Sequence, residues 1–170
     1  MRLGQFDVGG DSRMWLSPDA EKFIESGGLN LNRGPELVGV YCKAPAYANP
    51  KEIRSEIEKR LSEKIEQNYN SQLVRVYIDK APGGRRVKGR KYYEEMIQDC
   101  MDGKLTYLIV PSVGIFSRCI FNAHSTVRML RRLPRPVFVY FSKERINTFN
   151  ERDIMQFEFL AAFANDKETS

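Results

Sequence analysis

Histidine and tryptophan are nearly missing from this chain: each occurs once, as His124 and Trp15. A single histidine leaves metal chemistry to thiols, and the three cysteines, Cys42, Cys100 and Cys119, are far apart with no CxxC pair. The sequence therefore predicts no bound metal. An odd, scattered set of thiols is also a poor disulfide frame, so reduced cysteines in a reducing compartment are expected. No apolar run approaches the roughly 20 residues of a membrane span, and the N-terminus lacks the basic-then-apolar layout of a secretory leader. The expected setting is cytoplasmic and away from membranes. His124 is expected on a polar or half-buried helix face, and Trp15 is expected to pin the N-terminal segment. Neither supports a cofactor, and none is predicted.

What the chain does have is length for one packed core, at 170 residues, and a basic balance of +5. Net charge alone suits a nucleic acid partner and an ordinary soluble surface equally well. Its distribution says more. Arg85, Arg86, Lys88, Arg90 and Lys91 crowd one glycine-punctuated stretch, and Arg128, Arg131, Arg132 and Arg135 form a second cluster. Each cluster alone reads equally well as a solvated loop or helix end.

Residues 1–36 stand apart as an N-terminal extension, broken by Gly9-Gly10, Gly27-Gly28 and Gly34-Pro35. One short helix is expected there, from Pro18 to Ser26, capped by Ser17 and ended by Gly27. Residues 37–170 read as one domain in which strands and helices alternate. Strands are expected at Leu37 to Cys42, Leu73 to Ile78, Leu105 to Val110 and Val137 to Phe141. Helices are expected up to about Asn68, from about Arg90 to Met101, near Ile120 to Leu133, and from about Glu151 to Asn165. In the first of these, Ile53, Ile57, Leu61, Ile65 and Tyr69 recur every four residues and paint one apolar stripe. Alternating strands and helices predict an open, mostly parallel α/β sheet with helices on both faces. Ligands of such sheets collect at the carboxyl ends of the strands. Here those ends are the loops Lys43 to Ala48, Asp79 to Gly89 and Pro111 to Arg118.

The stretch Gly84 to Gly89 has the glycine spacing of a nucleotide-binding loop. However, Arg90 and Lys91 stand where a phosphate-reaching lysine and a metal-binding hydroxyl are required. Nucleotide hydrolysis is thereby excluded.

Read together, the three loops resemble the catalytic domain of serine site-specific recombinases, the resolvase and invertase family. Those proteins open with a strand followed by Tyr-x-Arg-x-Ser, and here the first strand runs Tyr41-Cys42-Lys43-Ala44-Pro45. Their second strand ends in Asp, then a Ser-Gly turn and an Arg that opens a helix; here stand Asp79, Pro82-Gly83-Gly84 and Arg90. Their third strand leads into a segment bearing two arginines, matched by Ser112 to Arg118, with Gly114-Ile115 in place of the Asp-Arg pair of active enzymes. A later strand followed by an acidic residue and Ile-x-Thr is matched by Glu144 and Ile146-Asn147-Thr148. The resemblance implies a resolvase-like fold with a long C-terminal helix, and strand cleavage and rejoining through a phosphoserine.

Such chemistry needs a nucleophile and cations around the phosphoryl oxygens. By resemblance, the catalytic positions are Lys43, Pro45, Arg90 and Arg118, with the serine replaced at Pro45. A proline offers no hydroxyl, and Lys43 exchanges a bidentate fork for a point charge. The expected function is therefore a recombinase-like domain that is inactive in strand exchange and serves as a dimerisation or DNA-associated module. Two other readings stay open: an active recombinase with a relocated hydroxyl, from Tyr41, Tyr47, Ser112 or Ser117, and a purely protein-binding module. Arg85, Arg86, Lys88, Arg90, Lys91 and Arg118 are the candidate phosphate contacts, giving weak, backbone-directed DNA binding that falls with salt. In the last helix, Ile154, Phe157, Leu160 and Phe163 belong to an apolar surface spread over more than one face. A plain core helix would show the same surface; by resemblance to the family, it implies a homodimer or a companion recombinase as partner.

Overall fold

The computed structural model of the chain describes residues 17–80, 90–117 and 119–169, with the side chains of the last helix through residue 162. Eleven elements are described. In order they are α1 (Pro18–Glu25), β1 (Leu37–Ala44), α2 (Pro50–Glu66), β2 (Gln72–Lys80), α3 (Lys91–Met101) and β3 (Tyr107–Val110). Then follow α4 (Val113–Phe116), α5 (Ile120–Arg131), β4 (Phe138–Phe141), β5 (Ile146–Asn147) and α6 (Glu151–Thr169).

The strands form one sheet in the order β2-β1-β3-β4-β5, with the first four parallel and β5 antiparallel at the edge. The chain first crosses from β1 outward to β2, then returns over β1 to place β3 on its other side. That reversal puts a crevice at the carboxyl ends of β1 and β3, where neighbouring connections leave on opposite faces. The expected open α/β sheet with helices on both faces is what forms. Its two-residue period sorts the core. Val38, Val40, Cys42, Ala44, Val76, Ile78, Tyr107 and Ile109 face α1 and α2. Tyr41, Tyr77, Leu108, Val110, Val139 and Phe141 face α3, α4, α5 and α6.

Local signals set the helix bounds. The Ser17 side chain caps α1 by accepting from Asp19 N, and Asn49 caps α2 by accepting from Lys51 N, each with proline in the first turn. Ile53, Ile57, Leu61 and Ile65 form the buried stripe of α2. Tyr69 does not continue it: α2 ends at Glu66, Tyr69 has a φ of 56°, and its exposed ring offers its hydroxyl oxygen to Asn30 Nδ2 at 2.9 Å. A left-handed residue takes the chain off the helix axis, so the four-residue repeat no longer points inward.

Residues 17–36 are built into the core of the sheet. Ala20, Phe23, Ile24 and Leu29 are buried, with Phe23 stacked on Tyr140 at 4.0 Å. Arg33 clamps the entry to β1. Its guanidinium pairs with the fully buried Glu36 at 2.7 Å and donates to the carbonyls of Thr106 and Pro136. The clamp gathers the amino ends of β1, β3 and β4.

On the last helix, Ile154 and Phe157 are buried within the chain's own core, and Phe157 stacks on Phe141 at 5.7 Å. This corrects the expectation that these two side chains face a partner. Among the described side chains of α6, the large exposed apolar ones are Met155, Phe159 and Leu160; Phe163 lies outside the described side chains. Among the described residues, no helix is long and apolar enough to cross a membrane.

Candidate functional site

Three carboxyl ends meet around one hydrogen-bond network. Tyr41, on β1, is fully buried, and its hydroxyl donates to Asp79 Oδ2 on β2 at 2.8 Å. Asp79 also accepts from the backbone N–H of Tyr92 at 3.0 Å through Oδ1 and of Tyr93 at 3.1 Å through Oδ2. Its carboxylate thus satisfies two free donors of the first turn of α3, where a negative charge also meets the positive end of the helix dipole. Arg90 immediately precedes that helix. Its Nη2 donates to the Tyr41 oxygen at 3.3 Å and to the carbonyl of Ile115 at 2.7 Å, and Nη1 donates to the carbonyl of Phe116 at 2.8 Å. The guanidinium lies 3.8 Å over the Tyr93 ring, a cation–π contact that fixes its plane.

Arg90 therefore ties the segment after β3 to the ends of β1 and β2. The fork expected to face phosphate is spent on two backbone carbonyls. Nε is buried and has no hydrogen-bond partner among the described residues. The segment after β3 is held from the other side too. Ser112 Oγ accepts from Ile115 N at 3.1 Å, and Glu144 Oε1 accepts from Val113 N at 3.1 Å. Ser142 Oγ donates to the Pro111 carbonyl at 3.1 Å.

The loop after β1 begins at Pro45, which is buried, and its carbonyl accepts from Ala48 N at 3.0 Å to close a tight turn. Lys43 pairs in register with Asp79 across β1 and β2. Gly114 is exposed, with only Ser112 Oγ near a Cβ built on it, at 3.9 Å; Ile115 is buried in the core. A buried isoleucine at that position supplies no charge.

The candidate hydroxyls divide sharply. Burial raises the Tyr41 phenol well above its ordinary range, against the opposing charge of Arg90, so it stays protonated. Ser112 is spent as a helix cap. Ser117 is half-buried, while Tyr47 is 71% exposed on the loop after β1.

Lys43 and Pro45 thus lie at the carboxyl end of β1, and Arg90, at the start of α3, bonds to Tyr41 of the same strand. Lys91 opens α3 with its ammonium 5.4 Å from the Tyr92 ring centroid. The expectations for Arg85, Arg86, Lys88, Arg118 and Trp15 lie outside the described residues. Sequence reasoning assigned no role to Tyr93 and gave Glu144 only as a landmark of the resemblance. The i, i+3 spacing of Arg90 and Tyr93 at a helix start was a usable signal for the stacking. Nothing local announced that Glu144 would reach Val113. His124 is half-buried as expected, its ring 5.9 Å from that of Phe157 and its Nε2 3.7 Å from Glu158. Among the described residues, no group of three or more metal-ligating side chains occurs.

A mostly parallel α/β sheet with a polar network at the carboxyl ends of its strands, followed by a long C-terminal helix, defines a class of fold that comparison makes specific. The model of the resolvase N-terminal domain matches residues 51–169. The chain belongs to that family, the domain type of serine recombinases, which act in DNA recombination. The match begins after Pro45. Among solved structures, the chain is similar to the N-terminal catalytic domain of TP901-1 integrase, at 15% identity and a TM-score of 0.58, over 79% of this chain and 98% of that one. It is also similar to a resolvase family site-specific recombinase from Streptococcus pneumoniae, at 17% identity and a TM-score of 0.59, over 79% and 91%. Both likenesses show the fold. No curated protein matches the sequence.

Proposed function

We propose that this resolvase-family domain no longer exchanges DNA strands and serves as a dimerising, DNA-associated module, as a homodimer or the companion of an active recombinase. The observation that carries this reading is Pro45, which closes a turn at the end of β1, where the resembled motif Tyr-x-Arg-x-Ser has its serine. A phosphoserine link requires an oxygen that attacks phosphorus, and proline has none. Supporting it, Ile115 is buried where active relatives carry the arginine of an Asp-Arg pair, and Arg90 is bonded to protein carbonyls. Transition-state charge on a transferring phosphoryl group needs preorganised cations aimed at it. Phosphate contact is separable from cleavage, because it needs charge and position but no nucleophile.

Incubation with supercoiled plasmid, followed by denaturing gel analysis for protein joined covalently to DNA, tests the loss of cleavage. No adduct and no nicked or relaxed product is expected. An adduct abolished by Tyr47→Phe or Ser117→Ala would overturn the reading in favour of a relocated nucleophile.

A further inference from the structure

The arginines at the end of α5 are left unused by the strand-end site. The stretch from Ser125 to Pro136 holds Arg128, Arg131, Arg132 and Arg135 with no acid and no lysine. One cation in the last turn is enough to complement a helix dipole. Arg131, half-buried with Nη2 3.5 Å from Glu151, meets that need. Arg128, Arg132 and Arg135 are exposed, and among the described residues none of them is ion-paired.

Arg128 and Arg132 are four residues apart on one face of the helix, so they stand one above the other as a ridge. A groove runs on each side of that ridge. The first, of about 400 Å³, lies between α5 and α6 and is lined by Arg128, Arg131, Arg132, Pro136, Phe138 and Glu158. Among the described residues Glu158 is its only acid, against three guanidinium groups. The second, of about 530 Å³, is lined by Ser125, Arg128, Met129, Arg132 and Leu133, with no acid among the described residues. Apolar walls beside exposed charge focus the field and weaken its screening by water. Pro134 and Pro136 bracket Arg135 and fix the backbone that presents it.

We propose that Arg128, Arg132 and Arg135 form a second contact for the phosphate backbone of duplex DNA, at the end of the sheet opposite the strand-end loops. The ligand class follows from the shape. A small discrete anion is held in an enclosed pocket by buried donors, whereas two open grooves sharing an arginine ridge fit an extended, regularly charged chain. Guanidinium suits phosphate because its planar fork bonds two oxygens at once. The location follows from topology: α5 leads from the carboxyl end of β3 to the amino end of β4. Counted from Ile120, Arg128 and Arg132 stand about 12 and about 18 Å along the helix axis from the strand-end rim. A duplex laid along α5 covers the longer distance in about five base pairs, given its 3.4 Å rise. The inference rests on the DNA-associated reading above and is independent of whether cleavage is lost.

The test is fluorescence anisotropy with a labelled 20-base-pair duplex of arbitrary sequence at 50 and 200 mM salt. It compares the full chain, Arg128→Gln/Arg132→Gln, Arg135→Gln, and a strand-end variant, Arg85→Gln/Arg86→Gln/Lys88→Gln. All ridge positions are exposed, and matching circular dichroism melts check that the variants stay folded. Each phosphate contact contributes about 0.9 to the slope of log affinity against log salt. The double ridge variant should lower the slope by about 1.8, so that wild type loses on the order of tenfold more affinity than the variant over this range. Arg135→Gln should give about half that slope change. The ridge proposal fails, with the DNA-associated reading intact, if the double variant matches wild type in affinity and slope while the strand-end variant loses binding. Absence of any wild-type binding at 50 mM salt overturns both. A polyglutamate peptide of equal charge that binds as tightly as the duplex overturns the assignment to DNA.

Discussion

Asp79 holds three groups with two oxygens: the Tyr41 hydroxyl and the N–H groups of Tyr92 and Tyr93. Removing the carboxylate leaves a buried phenol and two helix N-terminal donors without partners. An unsatisfied buried donor costs about 1–3 kcal/mol, and loss of a helix cap about 1. Asp79→Ala should therefore destabilise the fold by about 2–4 kcal/mol, read as a drop in the urea midpoint with unchanged slope. Asp79→Asn, which keeps acceptor oxygen on one side only, should fall between the two. Equal stability of Asp79→Ala and wild type would mean the network contributes nothing. At the same scale Arg90 shows why residue type alone does not reveal a role. The same guanidinium chemistry that binds phosphate also binds carbonyl oxygens, and the neighbouring Ile115 and Phe116 carbonyls decide between them.

Helix α6 shows how an element can satisfy its fold and leave a surface over. Ile154, Phe157 and Ala161 face inward at three- and four-residue spacing, while Met155 and Phe159 are 68% and 73% exposed. Leu160 is exposed as well. An apolar patch of this kind on a helix already packed on one side is the element on which the proposed dimer depends. Met155→Glu/Phe159→Glu should shift the chain from dimer to monomer in sedimentation velocity while leaving its melting temperature within a few degrees, since neither side chain is in the core. A double variant that sediments as wild type would place the dimer contact elsewhere. The apolar content of this helix was legible in the sequence, but its orientation was not. Apolar residues spread over several faces, and only packing of Phe157 between Phe141 and His124 selects the inward one.

Across the whole molecule, burial of ionisable groups on the two faces of the sheet sets how the fold responds to alkali. Burial pushes the Cys42 thiol up to about 12 against the opposing charge of Arg60, and pushes Cys100 up to about 12, with Asp99 adding to it. Burial, with Asp19 adding to it, likewise pushes the Tyr140 phenol up to about 12. In each case the folded state holds its proton more tightly than the unfolded state does. Between the unfolded and folded values the folded state binds more protons, so stability falls as pH rises. The contribution is fully present below about pH 9, the ordinary thiol value, and is lost progressively up to about pH 12. Urea midpoints should be flat from pH 7 to 8.5 and decline steadily above pH 9. Cys42→Ala/Cys100→Ala should shallow that decline, and an unchanged slope in this variant would refute the assignment to the thiols.

The sequence by itself determined the alternation of strands and helices, the apolar stripe of α2, the cap at Ser17, and the missing hydroxyl at position 45. These are properties of single residues or of spacings within one turn or one pleat, which local sterics and periodicity control. It also placed landmarks at the ends of three strands, which was enough to expose the family resemblance. Only the tertiary structure decided that segment 17–36 enters the core, that Tyr41, Asp79 and Arg90 form one network, and that Glu144 reaches Val113 from 31 residues away. It also decided which apolar side chains of α6 remain outside. Those outcomes depend on which strands become neighbours, and a side chain takes whichever donor or acceptor the closed sheet brings within reach.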